Sequence, residues 1–177
     1  MTNNDILRRL RYIFDYGDSK MIAIFASADL PVSREQISDW LKKEDDPAYQ
    51  ECNDSLLATF LNGLINAKRG RKDGAQAEPE KRLTNNIIFM KLKIALNLKA
   101  DESLAILGLS GTHISQHELS AFFRKQGHKH YRECKDQILR GFLKGLQIKY
   151  RDEAQAEVVN PNPIYGAKPR SDSSDSD

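Results

Sequence analysis

The sequence predicts an all-α protein built from two tandem, pseudo-symmetric four-helix units. Three observations carry this expectation. The chain repeats itself at a shift of 82 residues, with 2–69 falling on 84–151 without a gap. Thr2-Asn3-Asn4 lands on Thr84-Asn85-Asn86; Tyr49, Glu51, Cys52 and Asp54 land on Tyr131, Glu133, Cys134 and Asp136; Phe60-Leu61 and Gly63-Leu64 land on Phe142-Leu143 and Gly145-Leu146. Within each copy, apolar residues recur three and four apart, the spacing of one face of a helix. Helix-start patterns also fall at matching places, so each boundary is read twice.

The first helix is expected over residues 4–16, with Ile6, Leu7, Leu10, Ile13 and Phe14 on one face. Its counterpart carries Ile88, Phe89, Leu92, Ala95 and Leu96. Asn3 or Asn4, and Asn85 or Asn86, are the expected N-caps, because an Asx side chain accepts the free amides of a first turn. The second helix starts near Asp18 and Asp101. It carries Met21, Ile22 and Phe25, matched by Ser103, Leu104 and Leu107. A four-residue link follows. Ser33 with Gln36, and Ser115 with Glu118, then form capping boxes that open the third helix. Ile37, Trp40 and Leu41 face its core, matched by Leu119, Phe122 and Phe123. The fourth helix is expected over 53–67 and 135–149, with Leu56, Leu57, Phe60, Leu61 and Leu64 as its stripe. Gly63 and Gly145 sit inside it, where glycine costs about 1 kcal/mol against alanine. The same cost in both copies points to a close helix crossing.

Units of 68 residues have marginal cores alone, so the two copies are expected to pack on each other. Residues 70–83 read as a linker and 152–177 as a disordered acidic tail, ending in a Ser/Asp string. Cys52 and Cys134 are expected to fill the same small buried slot in each copy. No apolar run approaches the roughly 20 residues of a membrane helix. The N-terminus lacks a signal-peptide pattern, so the chain is expected in the cytoplasm, away from membranes.

Charge separates the copies. The first has 9 basic and 11 acidic residues; the second has 12 and 5, a net charge of +7, and holds all four histidines. The densest stretch is Arg124-Lys125-Gln126-Gly127-His128-Lys129-His130-Tyr131-Arg132, without an acid. Its counterpart in the first copy carries Glu44, Asp45 and Asp46. A basic loop with an aromatic can neutralise phosphates and stack a base. Lys68, Arg69, Arg71 and Lys72 form a second basic cluster. The second and third helices have helix-turn-helix-like spacing. The exposed face of the third would offer Gln116, His117, Ser120 and Arg124, whose glutamine and arginine suit base edges. The first copy offers Arg34, Glu35, Ser38 and Asp39, where acids would repel phosphate.

No phosphate loop or nucleophile motif is present. His113 and His117 stand four apart, but Ser115 as N-cap leaves His113 outside the helix. Neither a metal site nor a cofactor is therefore assigned. In mild acid the histidines would instead add to the positive patch.

The stretches Asn3-Asn4-Asp5-Ile6-Leu7-Arg8-Arg9-Leu10, Phe60-Leu61-Asn62-Gly63-Leu64-Ile65 and His117–Lys125 resemble the YehS-like family, bacterial duplicated domains of unknown function. The resemblance spans nearly everything but the tail. It implies a cytoplasmic bacterial protein and carries no activity, substrate or catalytic residue. The sequence thus reads as a non-catalytic nucleic-acid-binding or regulatory protein, with RNA and DNA both open. The alternative is a protein-interaction adaptor that docks an acidic partner.

Overall fold

The computed structural model describes residues 1–153 and 156. Among them, all regular structure is helical. The first copy supplies α1 (Asn3–Ile13), α2 (Asp18–Ser27), α3 (Arg34–Leu41) and α4 (Asp54–Arg69). The second supplies α5 (Asn85–Ala95), α6 (Ala100–Leu109), α7 (Gln116–Phe122) and α8 (Asp136–Gln147), with a π-helical turn at Ile148–Asp152 continuing α8. The two copies thus have the same element order.

The start of the first helix differs from the sequence expectation. Thr2 and Thr84 are the N-caps; their hydroxyls accept the amides of Asp5 at 3.1 Å and Ile87 at 3.2 Å. Threonine wins because it stands one position earlier, where the chain is still extended. The asparagines are freed for another task. Buried Asn4 donates to the carbonyls of Trp40 (2.9 Å) and Gln50 (2.8 Å) and accepts the Cys52 amide (2.9 Å). Asn86 does the same with Phe122, Arg132 and Cys134 at 3.0, 2.8 and 3.0 Å. One carboxamide therefore ties both ends of the loop between the third and fourth helices to the first helix. Asn3 and Asn85 each donate to the aspartate that opens the fourth helix, Asp54 and Asp136, at 2.7 Å.

α1 and α5 end at Ile13 and Ala95, before Tyr16 and Leu98, since Asp15 (φ 55°) and Asn97 (φ 53°) turn left-handed soon after. Short Asx side chains tolerate that conformation best after glycine. Ser33 and Gln36 form the expected capping box on α3. On α7 the Ser115 hydroxyl accepts the Glu118 amide at 3.1 Å, but Glu118 does not return the bond.

The glycines in the fourth helices mark the predicted close approach. A Cβ on Gly63 would lie 2.0 Å from the Ile24 carbonyl oxygen, and one on Gly145 would lie 2.0 Å from that of Ile106. α2 therefore rests backbone on backbone against α4, and α6 against α8. Around these crossings Phe25 packs on Phe60 and Trp40, with ring centroids 5.3 and 5.5 Å apart; Phe89 stacks on Phe142 at 4.2 Å. Cys52 and Cys134 occupy equivalent buried slots, and burial pushes both thiols up to about 12.

The buried residues of both copies join one hydrophobic cluster. Two seams hold the copies together: α4 against α5, and α1 against α8. Exchanging the copies exchanges the seams, as a pseudo-twofold axis requires. The segment between the copies lacks helix or strand, yet it is anchored. The Asp54 carboxylate accepts the Leu83 amide at 2.9 Å, and Glu80 pairs with Lys91 at 2.9 Å. Asp152 and Glu153 continue the last helix rather than opening the tail. Apart from 152, 153 and 156, the expected disordered segment lies outside the described residues.

Candidate nucleic-acid interface

The loop from Arg124 to Arg132 leaves α7 and returns beside it. The Arg132 amide donates to the Ala121 carbonyl at 3.1 Å, the Tyr131 amide to His128 at 2.8 Å and the His128 amide to Lys125 at 3.0 Å. Gly127 has φ 93°, a conformation that a side chain would strain. With its backbone bonded inward and Asn86 fixing its two ends, the loop turns its side chains outward. Arg124, Lys125, His128, Lys129, His130 and Arg132 are all exposed, while Tyr131 is half-buried at the base.

None of Arg124, Lys125, Lys129 and Arg132 has an acidic partner among the described residues. The equivalent loop of the first copy is unlike it in this respect. There Lys42 bonds Asp39 at 2.8 Å, which raises its pKa, and Asp46 caps the Ala48 amide at 2.9 Å.

The histidines gather against the loop. His117 on α7 approaches His130 with centroids 6.5 Å apart, and His128 lies 5.5 Å from His130. The His130 amide donates to His128 Nδ1 at 3.0 Å, which occupies one of the ring nitrogens a metal would need. No group of three or more potential ligands with metal-site geometry occurs among the described residues. His113 stands apart, beside Gly108 of α6.

Gln116, His117 and Ser120 do lie on the exposed side of α7. Arg124 does not share that helix face: α7 ends at Phe122, so Arg124 belongs to the loop. The second basic cluster is also changed by its surroundings. Arg71 pairs with Asp29 at 2.8 Å, and the Lys68 ammonium, on a residue that is otherwise exposed, sits 4.9 Å from the Phe14 ring centroid. Partial desolvation of the ammonium there, then the charge of Lys20, lowers the Lys68 pKa. Arg69 and Lys72 remain exposed along a groove that reaches Ile94 of the second copy.

One feature was missed from sequence. Beside the loop lies a cleft of about 330 Å³ lined by Ile87, Met90, Phe123, Arg124, Lys125 and Tyr131, among others. Met90 is 37 % exposed, and Lys93 stands over the Phe123 ring at 4.7 Å. The signal was the loss of an arginine: Met90 occupies the position held by Arg8 in the first copy, where the guanidinium binds Asp5 and the Lys42 carbonyl.

A family model described as a protein of unknown function (DUF1456) matches residues 3–70 and again 85–152. The uncharacterized protein YehS of Escherichia coli (strain K12) is 47% identical over 150 residues, covering 84% of this chain and 96% of that protein. No solved structure matches the chain. No helix among the described residues is long and apolar enough to cross a membrane.

Proposed function

The chain belongs to the DUF1456 family of proteins of unknown function, and we propose, from its own residues, that it is a non-catalytic protein that binds nucleic acid through its second copy. The observation that carries this is the loop from Arg124 to Arg132. Its four fixed cations are unpaired and exposed, and they stand beside a cleft floored by Tyr131, Phe123 and Met90. Cations without internal partners are free to displace the counterions of a phosphate backbone. An aromatic at the base gives a base a face to stack on. Both needs are met best by an unpaired strand, whose bases can leave the stack. The seven-residue α7 spans only about 10 Å, a short reader for a major groove, so Gln116 and His117 serve as flanking contacts.

The same cleft fits an acidic, amphipathic protein segment, which keeps the adaptor as the second reading. A titration separates the two. Binding of a fluorescent single-stranded oligonucleotide is measured by anisotropy across a range of salt concentrations. Affinity falls linearly with log salt, and the slope shrinks by about 1.4 in Arg124→Glu/Lys129→Glu if each residue meets one phosphate of a single strand. Absence of binding at low salt refutes the nucleic-acid reading. Copurification of a protein partner that survives nuclease treatment favours the adaptor.

A further inference from the structure

The two seams between the copies are related by pseudo-symmetry, and they treat the same position differently. On the α4–α5 seam, Lys91 is buried and paired. It donates to the Asn62 side chain and pairs with Glu80 at 2.9 Å. Glu80 comes from the segment that joins the copies. On the α1–α8 seam the equivalent residue is Arg9, and no joining segment crosses there. The position of Asn62 is taken by Lys144, and Ala58 of α4 is replaced in α8 by Arg140. Where one seam has a cation with its carboxylate, the other has two guanidiniums.

Arg9 is half-buried and Arg140 exposed; neither has a hydrogen bond or ion pair among the described residues. Burial, and then the charge of Arg140, both press against the protonated form of Arg9. The acids whose charge reaches the pair are already engaged: Asp5, which acts on Arg9, by the Arg8 guanidinium and the Thr2 amide, and Asp136, which acts on Arg140, by the Asn85 side chain at 2.7 Å and the N-terminal ammonium at 3.8 Å. Arg8 in turn donates to the Lys42 carbonyl at 2.9 Å. Asp5, Arg8, Arg9, Tyr12, Arg140 and Gln147 line an open cleft of about 390 Å³ at this place.

We propose that this seam is an anion site in which Arg9 and Arg140 together hold the phosphoryl group of a small phosphate monoester or pyrophosphate. Two neighbouring guanidiniums without an ion pair of their own match a phosphate dianion better than a single carboxylate. Guanidinium forks meet phosphate oxygens in pairs. The ligand would take the electrostatic place that Glu80 fills at the other seam, relieving the repulsion between the two arginines. The remaining volume, beside the half-exposed Tyr12, leaves room for an organic group on the phosphate. None of these residues belongs to the basic loop, so the proposal stands apart from the nucleic-acid reading.

The full chain is titrated with inorganic phosphate and with pyrophosphate at constant ionic strength, by calorimetry and by thermal unfolding. Saturable binding with a rise in Tm is expected. Arg140→Gln and Arg9→Gln should each weaken it about tenfold or more, the scale of one charge-assisted contact. The ligand-free Tm of Arg140→Gln should equal or exceed that of the unaltered protein, because a like-charge contact is removed. A structural arginine would give the opposite sign. Arg124→Glu/Lys129→Glu should bind phosphate normally, even if the loop has no part in nucleic-acid binding. A response that never saturates, or that survives Arg140→Gln, overturns the site. So does loss of affinity in Arg140→Gln for an oligonucleotide alone, which would assign the cleft to a strand.

Discussion

Gly63→Ala and Gly145→Ala test the central crossing of each copy. The new methyl would begin 2.0 Å from a backbone carbonyl oxygen of Ile24 or Ile106, against 3.4 Å or more in an ordinary contact. The helices must part by about 1.4 Å, because a carbonyl in a helix cannot turn aside. A gap of 0.5–1 Å already forfeits roughly a quarter to a half of a dispersion contact. The side chains across the crossing are fully buried and worth roughly 1.5–3 kcal/mol each, so losing part of several gives about 3 kcal/mol. Alanine returns about 1 kcal/mol of helix propensity, leaving a net loss of about 2 kcal/mol. For a chain of this size that lowers Tm by roughly 4–8 °C. Urea unfolding followed by far-UV circular dichroism reads it directly. Gly108→Ala is the matched control: it lies in α6, its Cβ would meet only His113 Cε1 at 3.9 Å, and the first copy has Ala26 there. It should stabilise by up to about 1 kcal/mol. A midpoint at or above that of the unaltered protein for Gly63→Ala or Gly145→Ala would refute the packing argument.

Three further perturbations follow from the same contacts. Asn4→Ala strands two carbonyls and one amide of a buried loop end, at about 3 kcal/mol; urea unfolding checks this, and faster hydrogen exchange at the Cys52 amide would place it. Lys91→Ala should cost about 1–3 kcal/mol, the lower end reflecting a Glu80 side chain 33% exposed. Because Arg140→Gln should not destabilise, parallel melts of the two variants test whether the seams differ. The thiols are raised from 9.0 to about 12 on folding. Their contribution is therefore complete below pH 9 and fades as the unfolded chain ionises between 9 and 12. The alkaline fall in stability should be shallower in Cys52→Ala/Cys134→Ala; equal slopes would contradict the shift.

Helix number, order and core faces were legible because periodicity and duplication report the same burial twice. Phe60 and Phe142, or Ile37 and Leu119, could be assigned from spacing alone. The caps show the limit. Thr2 and Asn4 are both good capping residues, and only the position of the extended chain decides between them. The true role of Asn4 lies in carbonyls 36 and 46 residues away, beyond any local pattern. Exposure of the basic loop was readable from its composition. The partial occupation of Lys68 and Arg71 was not, since Phe14 and Asp29 are distant in sequence. Met90 is hidden for a similar reason: in the unbroken apolar run Ile87-Ile88-Phe89-Met90, an exposed methionine looks like a buried one.

The paired seams have a consequence for how the molecule is held together. The first helix of each copy lies on the fourth helix of the other, so the contact is isologous, as between identical subunits. In such a dimer both halves must carry the same residues, and a change in one appears in the other. Joining the copies in one chain replaces a concentration-dependent association with an intramolecular one. It also releases each half from mirroring its twin. Lys91 with its carboxylate and Arg9 without one are a single contact written two ways, which a symmetric pair of subunits could not encode.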